Sequence, residues 1–138
     1  MSAAQEQVVK DLIATVAEGW PEDLDQTMSY IAEDAYYQMA VPVTEPIRGR
    51  DKIRAEIQAM VNLYKSNRSE IYFIGSGHNV VFTERLDQAL TDEGWIKIPL
   101  VAVFEFNDDN KITAWREYMD MNCIIQQQGA EKIIGIGA

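Results

Sequence analysis

The sequence predicts an α+β fold in which a strongly curved, mostly antiparallel sheet wraps around three N-terminal helices and forms a cone with an internal pocket. Two patterns and the length support this prediction. Apolar residues at helical spacing dominate the first half of the chain, whereas alternating patterns separated by short turn signals dominate the second half. A chain of 138 residues can bury one core with a small pocket, so we expect a single domain over residues 1–138.

The first half of the chain contains the predicted helices. From Gln5 to Trp20 the apolar side chains recur every three or four residues, which is one face of a helix. A second, short helix is predicted from Pro21, a residue suited to the first helical turn, to about Ala32. Ala35–Val41 is aromatic and apolar and is predicted as a strand, followed by a loop over Pro42–Gly49. Helical spacing resumes over Asp51–Tyr64.

The second half of the chain is predicted to form four strands joined by short turns. The strand segments are rich in apolar residues, and clusters of Gly, Asn and Asp mark the turns between them. The tail from Asn122 is predicted as a short helix that ends near Gly129. The strands are expected at Glu70–Ile74, Val80–Leu90, Trp95–Phe106 and Lys111–Met121, with turns at 75–77, 91–94 and 107–110.

The composition of the chain is acidic. Twelve Lys and Arg against 22 Asp and Glu give a formal net charge of −10 and a pI near 4.4. This charge repels phosphate backbones and anionic lipid headgroups, so we expect no nucleic-acid partner and no membrane partner. The apolar stretches of the sequence are far shorter than the roughly 20 residues that span a bilayer. A neutral or cationic small molecule is the expected ligand.

The few cysteine and histidine residues exclude several kinds of site. The single Cys123 cannot form an internal disulfide, and the N-terminus lacks a secretory signal, so we expect a cytoplasmic protein. The single His78 cannot build a multi-histidine metal centre, and its setting between Gly77 and Asn79 is typical of a solvated turn. The sequence contains no glycine-rich phosphate loop. We therefore expect no metal site, and chemistry that depends on carboxylates, Arg and Tyr.

The segment Ile98–Phe104 is apolar at consecutive positions, where a half-exposed antiparallel strand would alternate. This pattern indicates that something covers the second face of the strand. Because the chain has no further helix to spare, a second copy is the simplest cover, and we expect a homodimer through the outer surface of the sheet. A strand buried within one subunit explains the pattern equally well.

Two predicted strands carry charged side chains on shared faces. Because side chains alternate along a strand, Arg85 and Asp87 lie on one face of their strand, and Arg116, Tyr118 and Asp120 lie on one face of theirs. If Arg85 lies between Asp87 and Asp120, the two carboxylates share a proton unequally, and one acts as an acid while the other acts as a base. The alternative for Arg85 and Asp87 is a surface ion pair.

Four motifs stand in order along the chain: AEDAYYQ at residues 32–38, GRD at 49–51, TERLD at 83–87 and WREYMD at 115–120. In this order and at these separations they resemble the limonene-1,2-epoxide hydrolases, over about residues 30 to 121. That family lies within a wider superfamily of cone-shaped α+β proteins that also includes ketosteroid isomerases and polyketide cyclases.

The resemblance implies a dimeric enzyme without a cofactor, which opens a small, mainly apolar epoxide with water in one step and forms no covalent intermediate. By position, it assigns Asp120 as the general base on water, Asp87 as the general acid on the epoxide oxygen and Arg85 as the bridge between them. Tyr37 matches the tyrosine that holds the water, although an aromatic residue in a strand is more often part of the core. Each proton transfer of this kind is worth roughly 10²–10⁴ in rate.

One position departs from the family pattern. Two residues after the water-holding tyrosine the family has asparagine, and this chain has Met39, which shares a strand face with Tyr37 and is expected in the substrate pocket. A thioether is a weak acceptor and cannot donate. Hydrolysis is then slower, or another group fixes the water, or the substrate's own hydroxyl attacks and the protein is an epoxide-opening cyclase. An isomerase of a terpenoid, steroid or polyketide also fits these residues, as does a non-catalytic protein that binds a small ligand.

Overall fold

The computed structural model of the chain describes residues 2–17 and 22–128. None of the helices in these ranges combines the length and the hydrophobicity needed to cross a membrane. In chain order the elements are α1 (Ser2–Ala17), α2 (Leu24–Ser29), β1 (Ile31–Gln38), β2 (Ile47–Arg48), α3 (Arg50–Leu63), β3 (Ser66–Gly77), β4 (Val80–Thr91), β5 (Gly94–Phe106), β6 (Ile112–Tyr118) and α4 (Met121–Gln128).

The six strands form one open sheet in the order β2-β1-β6-β5-β4-β3. Strands β1 and β6 run parallel, and the other neighbouring pairs of this sheet are antiparallel. The β4–β5 hairpin has a continuous register from Val80 opposite Glu105 to Thr91 opposite Gly94. Helix α1 packs on β3 and β4, and α3 packs on β1 and β2. The predicted α+β class, with a mostly antiparallel sheet and N-terminal helices on its inner face, is confirmed.

The chain near β1 differs from the prediction in three ways. Strand β1 begins at Ile31, which pairs with Ile112 of β6, so residues 31–32 belong to a strand and not to the second helix. Helix α2 is correspondingly short, at Leu24–Ser29. Strand β2, at Ile47–Arg48, lies within the segment predicted as a loop and pairs with the end of β1.

The other predicted elements are found close to their expected bounds. Strand β3 is longer than predicted, because Ser66–Gly77 pairs with β4 over its whole length. Strand β6 stops at Tyr118 and does not reach Met121. His78 is exposed in the β3–β4 turn and has a positive φ of 55°, which confirms the prediction of a turn residue. Outside the described residues lie Trp20, Pro21 and the predicted tail from Gly129.

The main hydrophobic core lies between the helices and the inner face of the sheet. Leu12 of α1 and Ile57 of α3 are buried there, and Phe104 of β5 is fully buried. The Phe104 ring contacts the Trp115 ring with centroids 5.6 Å apart. Trp115 in turn contacts the Tyr37 ring at 4.6 Å. This row of rings fixes the positions of β5, β6 and β1 relative to one another.

Gln5 attaches helix α1 to two turns at one end of the sheet. Its Nε2 donates to Asn79 Oδ1 at 3.0 Å and to Asn110 Oδ1 at 3.1 Å. Both asparagines have positive φ values, 61° and 55°, a conformation that asparagine tolerates better than most residues. Gln5 is only 2% exposed, so water cannot easily replace it as a donor.

We expect Gln5→Ala to lower the free energy of unfolding by about 1–3 kcal/mol, because it leaves two part-buried amide oxygens without their donor. The matched control is Gln7→Ala on the same helix, where the exposed side chain bonds only to Asp11, and we expect a change within about 0.5 kcal/mol. Urea titrations of both variants measure the difference. Equal stability of the two variants would show that the bonds of Gln5 do not hold α1 in place.

Candidate active site

A cavity of about 100 Å³ lies between the inner face of the sheet and the helices. Cavities of this order admit small apolar molecules. Most of the cavity wall is apolar, and four polar side chains form a cluster within it. The apolar wall includes Val16, Met39, Ile57, Met60, Ile98, Met119 and Ile124, and the cluster consists of Tyr37, Arg85, Asp87 and Glu117.

Arg85 stands at the centre of this cluster. It lies on the inner face of β4, as the alternation of the strand predicts, and is 2% exposed. Its Nε donates to Asp87 Oδ1 at 2.9 Å and its Nη2 donates to Asp87 Oδ2 at 3.2 Å. The same Nη2 donates to Glu117 Oε2 at 2.5 Å, and Nη1 donates to Thr83 Oγ1 at 3.0 Å. One buried guanidinium therefore joins two carboxylates, and the interpretation as a surface ion pair is wrong.

The second carboxylate is Glu117 and not Asp120, which corrects the expected geometry. Strand β6 ends at Tyr118, which leaves Asp120 beyond the strand, exposed, with its Oδ1 accepting from the Asn122 backbone N–H at 2.9 Å. The face predicted to carry Arg116 and Tyr118 into the cavity is the outer face. Arg116 pairs there with Glu105, and Tyr118 is 43% exposed.

The register of the sheet explains why Glu117 meets Arg85. Thr83 of β4 is opposite Ala102 of β5, and Ala102 is opposite Glu117 of β6, so these residues form one row across the sheet. Arg85 lies in the next row of the inner face, two residues along β4. Ala102 is fully buried and has only a methyl group, which leaves room for the guanidinium to cross toward β6.

Glu117 accepts hydrogen bonds from three side chains. Tyr37 OH donates to Oε1 at 2.9 Å, and Oε2 accepts from Trp115 Nε1 at 3.2 Å as well as from Arg85. Sequence reasoning selected neither Trp115 nor Glu117 as a site residue. The available signal was alternation, because a buried tryptophan at position 115 places residue 117 on the same face.

Tyr37 and Met39 both line the cavity, as predicted. Tyr37 is 3% exposed and Met39 is 6% exposed. Met39 lies just after β1, where the chain turns and Val41 N–H donates to the Glu117 backbone oxygen at 3.0 Å. This loop contact brings the thioether of Met39 beside the polar cluster, at the place where the family pattern has asparagine.

Ser69 of β3 is a further polar contact of the cluster that the sequence did not indicate. It is opposite Asp87 in the β3–β4 register, and its Oγ donates to Asp87 Oδ1 at 2.7 Å. Oδ1 of Asp87 thus accepts from Ser69 and from Arg85 Nε, whereas Oδ2 accepts only from Arg85 Nη2. The side chain of Asp87 is 21% exposed, compared with 6% for Glu117.

Burial and the paired charges determine how the cluster titrates. Burial raises the pKa of Glu117; the Arg85 guanidinium opposes this effect and the nearby Asp87 charge adds to it. Burial also raises the pKa of Tyr37 well above its usual value, and the neighbouring Glu117 raises it further, so the phenol stays protonated. Burial alone would lower the pKa of Arg85, but Asp87 and Glu117 raise it, and the guanidinium stays charged.

Two carboxylates beside one cation favour a state that holds one extra proton, because the fully ionised cluster would carry a net negative charge in an apolar cavity. A cluster with one protonated and one ionised carboxylate offers an acid and a base in the same cavity. The raised pKa of Glu117 makes its carboxylate a stronger base than an exposed carboxylate. The arrangement can donate one proton and accept another on opposite sides of a small molecule.

Many solved structures are similar to this chain, including the following three. An LEH-like epoxide hydrolase from M. tuberculosis has a TM-score of 0.77 at 23% identity, over 91% of this chain and 89% of that one. The epoxide hydrolase/cyclase-like enzyme SalBIII, described in pyran ring formation in the polyether salinomycin, has a TM-score of 0.76 at 21% identity, over 87% and 93%. A protein with a ketosteroid isomerase-like fold from Catenulispora acidiphila, in complex with trimethylamine, has a TM-score of 0.75 at 13% identity, over 87% and 90%.

These structural matches support the cone-shaped α+β fold. The family model of the limonene-1,2-epoxide hydrolase catalytic domain matches residues 3–129, which include every side chain of the polar cluster. The match covers most of the chain and contains all four motifs that resemble the same family. The chain therefore belongs to the limonene-1,2-epoxide hydrolase family.

Proposed function

We propose that this chain is an epoxide hydrolase that adds water to a small, mainly apolar epoxide in one step and releases a vicinal diol, with no cofactor. The observation that carries the proposal is the buried Arg85, bonded at once to Asp87 and Glu117 in an otherwise apolar cavity. The structure favours Glu117, in place of Asp120, as the base of this mechanism. Membership of the family supports the same reaction class.

The geometry gives the attacking water a place on Glu117. Oε2 already accepts from Arg85 and Trp115, so Oε1, which among the residues that the structure describes accepts only from Tyr37, keeps a lone pair for a water proton. The Tyr37 oxygen donates its own proton to Glu117 and can accept the second water proton. The water is then held by two acceptors, and its lone pair is available to attack.

The acid is Asp87, protonated on Oδ2. Because Oδ1 accepts from both Ser69 and Arg85, a proton on Oδ1 would displace one of these donors. As the water oxygen bonds to an epoxide carbon, one water proton passes to Glu117, the epoxide C–O bond breaks and its oxygen takes the proton of Asp87. The diol leaves behind a protonated Glu117 and an ionised Asp87. The resting state returns when Glu117 gives up the proton it took from water and Asp87, whose side chain is 21% exposed, takes one up.

A second candidate function is supported by Met39. Its thioether cannot donate a hydrogen bond to a water molecule, and it occupies the cavity next to Tyr37. A hydroxyl of the substrate itself would then attack in place of water, and the same acid and base would produce a cyclic ether. The structural similarity to an epoxide hydrolase/cyclase-like enzyme agrees with this candidate. Product analysis separates the two, because only hydrolysis gives a diol.

We expect Glu117→Gln to lower kcat by about 10²–10⁴-fold with limonene oxide or cyclohexene oxide, because the amide cannot accept the water proton. The matched control is Asp120→Asn, which we expect to keep near wild-type kcat, since the Asp120 side chain is exposed and, among the described residues, accepts from the Asn122 backbone N–H alone. Circular dichroism checks that both variants fold. An active Glu117→Gln protein, or an inactive Asp120→Asn protein, would contradict the proposal. If the wild type binds the epoxide but does not convert it, the chain is a binding protein and not a hydrolase.

Ser69→Ala tests whether the hydrogen bond from Ser69 positions Asp87. The variant removes a donor that orients Oδ1 of Asp87. We expect kcat to fall about three- to tenfold while KM stays nearly unchanged. Ser69→Thr keeps the hydroxyl and should restore kcat. An unchanged kcat in Ser69→Ala, or a kcat that Ser69→Thr does not restore, would contradict the positioning role of Ser69.

We also propose that the chain forms a homodimer through the outer face of the sheet. Segment 98–104 is apolar on both faces, and among the described residues its outer face is uncovered, with Val101 42% exposed. Val101 lies in one row with Tyr118, and Phe82 and Phe73 of the neighbouring strands add further exposed apolar area. Exposed apolar side chains gathered on one face of a sheet, here on both sides of Glu84, are typical of interaction surfaces.

Val101→Glu should convert the dimer to a monomer, because the dimer would bury an unpaired charge at its centre. Light scattering after size exclusion measures the mass directly. Val43→Glu is the matched control in the loop between β1 and β2, at a position already 75% exposed, and it should leave the mass unchanged. A wild-type protein that is monomeric at micromolar concentration would contradict the proposed dimer.

A further inference from the structure

Asn67 is a polar residue of the cavity wall that the proposed reaction does not use. It lies on β3 two residues before Ser69, and in the register it is opposite Ala89, whereas Ser69 is opposite Asp87. Asn67 and Ala89 therefore form the inner-face row that follows the row of Asp87. The cavity wall also includes the apolar Val16, whose backbone oxygen contacts Asn67.

The hydrogen bond of Asn67 fixes the orientation of its amide. Nδ2 donates to the backbone oxygen of Val16 at 2.8 Å, which satisfies one of the last carbonyl groups of helix α1. This bond gives the amide nitrogen a structural role. It gives none to Oδ1, which accepts no hydrogen bond from residues 2–17 or 22–128. The cavity wall thus contains an oriented acceptor.

The position of this acceptor relative to the reacting groups follows from strand geometry. Asn67 lies on β3, two residues from Ser69, and Ser69 is directly opposite Asp87 on β4. This diagonal arrangement separates the Cα atoms of Asn67 and Asp87 by about 8 Å. Tyr37 and Glu117 lie on the opposite side of Asp87, on β1 and β6. A substrate that places its epoxide oxygen at Asp87 and its reacting carbon toward Glu117 extends its remaining part toward Asn67.

We propose that Asn67 Oδ1 is a binding subsite for a hydrogen-bond donor of the ligand, so that the preferred substrates are epoxides with a remote hydroxyl group, about 6–8 Å from the epoxide oxygen. This inference rests on the proposed function and specifies its substrate class. A neutral acceptor suits a hydroxyl, because a neutral hydrogen bond needs no charge to be buried. The apolar wall between Asp87 and Asn67 suits the hydrocarbon part of such a ligand.

The test uses two product-like ligands, p-menthane-1,2-diol and p-menthane-1,2,8-triol, which differ by one remote hydroxyl group. Titration calorimetry gives the Kd of each for the wild type, Asn67→Leu, Asn67→Asp and the control Asn62→Leu. Asn62 is exposed on α3 and bonds to Gln58, away from the cavity. We expect the ratio of the diol Kd to the triol Kd to fall about three- to tenfold in Asn67→Leu and to stay unchanged in Asn62→Leu.

Asn67→Asp separates ligand binding from the structural role of the amide. A carboxylate cannot donate to the Val16 oxygen but can still accept from a hydroxyl, so this variant should lose thermal stability and keep the preference for the triol. An unchanged Kd ratio in Asn67→Leu would overturn the proposal, as would loss of the preference in Asn67→Asp to the same extent as in Asn67→Leu. These binding measurements need no turnover. If no epoxide is hydrolysed but the ratio falls as expected, the proposed function fails and the subsite stands.

Discussion

The buried guanidinium of Arg85 is the constraint on which the cavity depends. A cation that is 2% exposed needs carboxylate partners, and the sheet supplies one from its own strand and one from β6. The row Thr83–Ala102–Glu117 makes this possible, because a small residue on β5 lets side chains of β4 and β6 meet across the intervening strand. Removal of Arg85 would leave two carboxylates without a cation in an apolar cavity, which explains why the three side chains form a unit.

The two carboxylates have different surroundings, and this difference supports the roles proposed for them. Glu117 is more buried, accepts from Tyr37, Trp115 and Arg85, and has a raised pKa because of burial. Asp87 is closer to solvent and is oriented by Ser69. In the proposed reaction, Glu117 accepts a proton from the nucleophile and Asp87 donates one to the substrate.

Much of this arrangement could be predicted from the sequence, because alternation along β4 places Arg85 and Asp87 on one face whatever the exact register. The assignment of Asp120 failed because the end of β6 is set by tertiary pairing, and position 120 lies beyond the last paired residue. The buried Trp115 would have indicated residue 117 instead. Ser69 could not be predicted, since its contact with Asp87 depends on the β3–β4 register. Strand β2 could not be predicted either, because its two residues are too few to show the alternation of apolar and polar side chains that indicates a strand.

The most direct test of the central claim is a single turnover of limonene oxide in ¹⁸O-labelled water with the protein in excess over the substrate. If Glu117 activates water for direct attack, the diol of the first turnover carries one ¹⁸O atom, and mass spectrometry of the protein finds no label in Asp87 or Glu117. An unlabelled diol together with ¹⁸O in either carboxylate would instead show that the carboxylate attacks the epoxide and that the reaction passes through a covalent ester, which contradicts the account.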